Sequence, residues 1–163
     1  MDFTIRLVHT SGGPITLSDE VCAQLCEMGT ELIEMETFLA KFTWENAAKP
    51  NIPITMDDLL TEGQYAAGEG LVIMEQISTG KVLGFFKFVP SGTTAEIYYF
   101  VIHKDYRGGG LGNALIEQGK QYLRMLQFSE IMLYYKQENT AAVKFWDKNG
   151  FPPAIIVGGC KLF

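Results

Sequence analysis

The residues best suited to chemistry in this chain sit together at 107–112, which read Arg-Gly-Gly-Gly-Leu-Gly. Glycines reach positive φ and present no Cβ to a ligand. The cluster follows the most β-prone run of the sequence, 94–102 (Thr-Ala-Glu-Ile-Tyr-Tyr-Phe-Val-Ile), and precedes a helical pattern at about 110–127. The first N–H groups of such a helix have no partner inside it and carry its positive dipole end. A pyrophosphate suits that place. Arg107 adds a permanent positive charge.

Spacing rules out two common anion loops. A dinucleotide fingerprint needs Gly-x-Gly-x-x-Gly, and Gly108 and Gly110 are followed by Asn113. A P-loop needs Gly-Lys before Ser or Thr, but Gly80-Lys81 is followed by Val82. What fits is Arg-x-x-Gly-x-Gly, through Arg107, Gly110 and Gly112. A second segment, 139–151, reads Asn-Thr-Ala-Ala-Val-Lys-Phe-Trp-Asp-Lys-Asn-Gly-Phe. The first segment resembles the coenzyme A loop of the GNAT superfamily of N-acetyltransferases. The second resembles that family's later motif, with Asn139, Ala142, Phe145, Trp146, Gly150 and Phe151 at its positions. The resemblance is specific over about 94–151; the N-terminal half matches only in the order of its elements.

The resemblance implies a cofactor, acetyl-coenzyme A, and a place for it. Two neighbouring parallel strands, here 94–102 and 130–135, would splay apart and admit the pantetheine arm. The backbone of Phe100, Val101 and Ile102 would pair with the arm's amides, a strand-addition contact in which residue type matters little. The amides of Gly108, Gly109, Gly110, Leu111 and Gly112, with Arg107, would hold the pyrophosphate. Asn139 would touch the arm, cap the following helix, or do both. Phe145 and Trp146 would wall the cofactor or pack the core. The implied activity is transfer of an acetyl group to a primary amine of a small molecule or peptide, by direct attack on the thioester. The alternatives are a GNAT-fold module that holds acyl-coenzyme A without turnover and a nucleotide-binding protein unrelated to coenzyme A.

An amine with a pKa of about 10.4 is neutral in roughly one molecule per thousand or fewer at pH 7, so a base would help. Glu96 is the candidate, near the start of the strand that carries the cofactor site; some family members place a glutamate similarly. The competing reading is an exposed strand glutamate. Many family members carry a tyrosine as general acid where this chain has Trp146, and an indole N–H will not protonate a thiolate. A coenzyme A thiol resembles cysteine, with a pKa of about 8.5, so it leaves tolerably without a dedicated acid. Tyr134 or Tyr135 could substitute, although strand tyrosines more often pack.

These groups need a scaffold. Residues 3–8 alternate as a strand. Ser18-Asp19-Glu20 starts a helix, Gly29-Thr30 predicts a break or kink, and a second helix runs to about Lys49. A short helix is expected at 55–62, then antiparallel strands at 70–77 and 81–89. The helix at 110–127 places Leu111, Ala114, Leu115, Tyr122, Met125 and Leu126 on one face. A strand at 130–135, a helix at 140–149 and a strand at 154–158 complete the order β-α-α-β-β-β-α-β-α-β, with a further short strand expected at 160–163. The fold class is α/β, a mixed and mostly antiparallel sheet flanked by helices, as in acyl-CoA N-acyltransferases.

The chain has 163 residues and suits a single domain spanning 1–163. The net charge of −6, with 13 Lys and Arg, argues against nucleic acid as a partner. Residues 18–49 carry Asp19, Glu20, Glu27, Glu31, Glu34, Glu36 and Glu45 against Lys41 and Lys49. That is either a solvated face or an acidic rim for a cationic acceptor. Phe38, Phe42 and Trp44 would be core, or the wall of an apolar pocket. Cys22, Cys26 and Cys160 show no metal spacing with the distant His9 and His103, so free thiols and no metal are expected. No apolar run is long enough to span a membrane, and the N-terminus lacks signal-peptide features, so a cytoplasmic location is expected. A homodimer is compatible with the family, whose members often pair through C-terminal strands.

Overall fold

The computed structural model describes residues 2–9, 17–39, 56, 68–135 and 137–152. A five-stranded sheet has the order β1 (Phe3–His9), β2 (Gly70–Gln76), β3 (Val82–Ser91), β4 (Thr94–Ile102), β5 (Glu130–Leu133). Neighbours are antiparallel except β4 and β5, which are parallel. Among the described residues three longer helices accompany it: α1 (Asp19–Leu39), α2 (Leu111–Met125) and α3 (Thr140–Lys148). This is the expected mixed sheet. The expected extension of the second helix to Lys49, the helix at 55–62 (apart from helical Met56), the strands at 154–158 and 160–163, and Cys160 lie outside the described residues.

The two faces of the sheet bury different partners. On one face, Phe85, Val101, Leu71 and Ile73 pack with Val21, Leu25 and Met28 of α1. On the other, Phe86, Phe88, Ala95 and Ile97 pack with Leu115, Ile116 and Leu123 of α2 and Trp146 of α3. β2 and β3 are covered on both faces, so Leu71 to Met74 and Val82 to Phe88 are buried without alternation. Each large apolar side chain so buried stabilises the fold by about 1.5–3 kcal/mol.

Three local expectations change. The break at Gly29-Thr30 is absent: α1 runs unbroken to Leu39. The Thr30 hydroxyl donates to the Cys26 carbonyl at 2.8 Å inside the helix, and burial of Leu25 and Met28 outweighs a mid-helix glycine cost of about 1 kcal/mol. Met125 does not share the buried face of α2; it is 73% exposed, ten positions past Leu115 and so out of phase with the Leu115–Leu123 stripe. β4 carries a bulge that strand alternation does not reveal. Phe85 opposes Val101 and Lys87 opposes Tyr98, so Phe86 faces two residues, Tyr99 and Phe100. Tyr99 takes φ 54, left-handed for a side chain that rarely goes there. The helix start is as expected: the Ser18 hydroxyl accepts from the Val21 N–H at 3.3 Å.

Candidate active site

The bulge builds the site. Before it, Ala95 and Ile97 face α2, while Glu96 and Tyr98 face the α1 side; after it, Phe100 and Ile102 face α2 and Tyr99 and Val101 face α1. Parallel pairing with β5 begins at Thr94–Glu130 and ends at Ile97–Leu133, two residues before the inserted Tyr99. Beyond that point β4 continues alone to Ile102 on this side. The strands thus part into a cleft of about 1030 Å³. One wall is the backbone run from Tyr98 to Ile102, with Phe100, Val101 and Ile102 all lining it. The N–H and C=O groups of a strand edge can accept an extended amide chain as a further strand.

The glycine loop closes one end. After β4 comes a short 3₁₀ turn, Lys104–Tyr106, anchored by the His103 N–H to the Leu83 carbonyl at 2.9 Å. Gly108 and Gly110 take φ 82 and φ 83, so side chains there would be strained. Gly110 is the N-cap of α2 and offers no side-chain cap. The helix therefore opens on bare backbone, lined toward the cleft by Gly108, Gly110, Leu111 and Gly112. Gly112 has a second reason: a Cβ there would lie 3.0 Å from the Phe145 ring. Gly109 does not line the cleft.

Arg107 lines the cleft, but its guanidinium already has partners. Nε donates to the Ile102 carbonyl at 2.8 Å, and Nη2 reaches Glu31 Oε1 of α1 at 3.1 Å. The loop is thereby tied to both the strand end and α1.

The opposite wall comes from α3 and β5. Asn139 is the N-cap of α3, its Oδ1 accepting from the Ala142 N–H at 3.1 Å, and it also faces the cleft. Phe145 and Trp146 line the cleft from an aromatic cluster. Trp146 is buried, with ring centroids 4.8 Å from Phe100, 4.8 Å from Phe145 and 5.3 Å from Phe151. Tyr135 packs on the α2 side, and its hydroxyl donates to the Phe151 carbonyl at 3.4 Å. Tyr134 lines the cleft on the other face, where its hydroxyl meets Met132 Sδ at 3.3 Å.

Glu96 is half-buried and does not itself line the cleft. It meets the cleft through a residue that sequence reasoning passed over. The Tyr98 hydroxyl donates to Glu96 Oε2 at 2.8 Å, and Tyr98 lines the cleft. That hydrogen bond to Glu96, with smaller effects of burial and of the nearby charges of Glu96 and Tyr134, pushes the Tyr98 phenol up to about 12. Tyr98 is therefore a neutral donor at all ordinary pH. The signal in the sequence was the i, i+2 spacing of Glu96 and Tyr98, which puts them on one strand face.

Behind Tyr98, at the facing position of β3, Lys87 pairs with Glu69 at 3.7 Å in the interior. Burial pushes the Lys87 ammonium down, partly offset by the Glu69 charge. Cys22 and Cys26 are half-buried on α1. Among the described residues no cluster of His, Cys, Asp or Glu is placed to hold a metal, and no described helix is long and apolar enough to cross a membrane.

Comparisons with known proteins agree with this arrangement. The family model described as "Acetyltransferase (GNAT) family" matches residues 34–151. A mycothiol acetyltransferase of Mycobacteroides abscessus is 26% identical over 119 residues, covering 71% of this chain and 40% of the relative. One of Geodermatophilus obscurus is 41% identical over 56 residues, 34% of this chain and 18% of that protein. The chain thus spans well under half the length of these curated relatives. Among solved structures, an acetyltransferase of Trypanosoma brucei aligns with a TM-score of 0.62 at 19% identity, over 99% of this chain and 100% of that one. An acyl-CoA N-acyltransferase of Pseudomonas aeruginosa aligns with a TM-score of 0.63 at 16% identity, over 91% and 88%. At such identities they speak for the fold. With the family model spanning most of the chain, this protein belongs to the GNAT family of acetyltransferases.

Proposed function

We propose that this protein transfers an acetyl group from acetyl-coenzyme A to a primary amine, with Glu96 as the base. The observation that carries the proposal is the coincidence of two features at one point of β4. The strand parts from β5 just after Ile97, and the Glu96–Tyr98 pair sits at that fork. The cofactor, a thioester, supplies an activated acyl group whose carbonyl an amine can attack.

The residues present fit that cofactor. The free edge at Phe100 to Ile102 suits the amides of its arm, and the apolar walls of Phe145 and Trp146 suit its methylene stretches. The bare helix start at Gly110, beside Arg107, suits its pyrophosphate. Asn139, fixed by its capping bond, lines the same cleft. Glu96 takes the proton that the amine loses, directly or through the Tyr98 hydroxyl, which bridges the carboxylate to the cleft. We assign Tyr134 to the departing sulfur, because its hydroxyl lies on the Glu96 face while that of Tyr135 is held by Phe151. The relatives are named for acetyl transfer, which supports the reaction class; the acceptor does not carry over from partial matches.

The test is release of free thiol from acetyl-coenzyme A over a panel of primary amines. Release that depends on both amine and Glu96 supports the proposal. Tight coenzyme A binding with no release on any amine would instead identify a binding module.

A further inference from the structure

We infer that the mouth of the cleft on the α1 side is an acceptor subsite for an organic cation, formed by the rings of Tyr98 and Tyr134 beside the thioether of Met132, with the Glu96 carboxylate held against Tyr98. The inference rests on the transferase reading for the identity of the site and goes on to name the class of acceptor: an amine whose body carries a second positive charge, such as a diamine or a basic peptide side chain.

The argument begins with register. Glu96 and Met132 are partners across β4 and β5, so Tyr98 and Tyr134, each two residues further on, lie on the same face at the same level. Tyr98 is 40% exposed, Met132 38% and Tyr134 69%, and they form one patch rather than isolated exposed side chains, the kind of surface that marks a binding site. Both rings face the cleft, and they lie close enough for the Tyr134 charge state to act on the Tyr98 phenol. Electron-rich ring faces beside a carboxylate attract a cation and disfavour a phosphate or carboxylate.

The surrounding charges agree. The neighbouring helix α1 carries six carboxylates and no Lys or Arg between Asp19 and Leu39. The cation behind the patch, Lys87, is paired with Glu69 at 3.7 Å and is buried. The nearest guanidinium, Arg107, is paired with Glu31. Lys148, at the end of α3, also lines the cleft, so the attraction for a cation belongs to the face of β4 that carries Glu96.

Two probes of equal length test this: 1,5-diaminopentane and 5-amino-1-pentanol, which share the reacting amine and differ in the second charge. Each is titrated calorimetrically into the protein loaded with coenzyme A. The diamine should bind roughly 3-fold or more tighter than the amino alcohol. Tyr134→Leu and Tyr98→Leu should each bring the two affinities close together, while Tyr134→Phe, which keeps the ring face, should preserve the difference. Tyr134 is exposed, so its variants should fold even if Tyr98→Leu does not. Equal binding of the two probes, binding of neither, or an unchanged ratio in Tyr134→Leu overturns the inference. Diamine binding without thiol release on any amine would leave the subsite standing and remove the transferase reading; equal turnover of both probes would do the reverse.

Discussion

Arg107 Nη2 and Glu31 Oε1 lie 3.1 Å apart, joining the glycine loop to helix α1 across 76 positions of sequence. Both side chains are partly exposed, so the pair contributes about 1 kcal/mol or less to stability. Its larger effect is on the loop, because a carboxylate beside the proposed pyrophosphate site repels that ligand. Glu31→Gln should tighten coenzyme A binding by about 2- to 5-fold in calorimetry, with little change in melting temperature. Arg107→Ala should weaken it by about 10-fold or more, the value of a charge-assisted hydrogen bond. Weaker binding in Glu31→Gln would mean that the pair organises the loop for its ligand.

Gly112 gives a steric prediction. A methyl group there would sit 3.0 Å from the Phe145 ring, with Ile102 at 3.7 Å behind it. Gly112→Ala should destabilise the fold by about 1–3 kcal/mol and raise the KM for acetyl-coenzyme A, since Phe145 must shift along the cleft wall. Truncating the ring in a Gly112→Ala, Phe145→Leu double variant should recover part of the stability. Equal denaturant midpoints for the single and double variants would contradict the contact.

The Tyr98–Glu96 pair makes two predictions about pH. Tyr98 is raised from its usual value of 10.0 to about 12, so its contribution to stability is complete below pH 10 and is lost as pH rises through about 12. Ultraviolet titration of phenolate should show one tyrosine ionising near 12, and Glu96→Gln should lower that step toward 10. In kinetics, Glu96→Gln should flatten the rise of rate toward alkaline pH. A profile of unchanged shape removes Glu96 as the base. Tyr134→Phe should lower kcat by about 10-fold with KM for the amine nearly unchanged, as expected when only a hydroxyl at the leaving group is lost.

Lys87 and Glu69 test a buried charge pair. Removing one partner takes the counter-charge from the other in the interior, so Lys87→Met should cost about 3–5 kcal/mol. The Lys87→Met, Glu69→Leu double variant should recover most of that loss, because paired apolar replacements are often neutral. Since burial depresses the Lys87 ammonium, its charged form is disfavoured by folding. The wild type should therefore gain stability as pH rises from the depressed Lys87 value toward 10.5, provided other groups are held constant by comparison with the double variant. A double variant no more stable than the single one would count against the pairing.

The parts of the site that could be read in the sequence are those whose constraints are local. Gly108 and Gly110 are glycine because the backbone turns left-handed there, and such a requirement shows in residue type alone. Asn139 could be read as a cap because its partner is three residues away. What escaped is set by neighbours distant in sequence. The Glu31–Arg107 pair spans α1 and the loop. The unbroken α1 depends on burial against β3 and β4, which overrides a glycine that would break an isolated helix. Trp146, whose position suggested a missing acid, is buried among Phe100, Phe145 and Phe151, a role that only their meeting defines. Tyr98 was hidden by its surroundings: in a run of Ile-Tyr-Tyr-Phe-Val every aromatic looks like packing until the bulge decides which face each one takes.

The inserted Tyr99 has a consequence for how this strand can change. Because one extra residue inverts the parity between Glu96 and Phe100, the two halves of β4 are geared together like teeth on a shaft. Substitutions leave the gearing intact. Flattening the bulge with all its residues kept would swing Phe100 and Ile102 toward α1 and Val101 into the aromatic cluster, leaving Glu96 where it was, whereas loss of Tyr99 itself would restore regular alternation and keep every one of these faces. Tyr99 is thus the one position on this stretch that a relative can lose while Phe100, Val101 and Ile102 keep their sides.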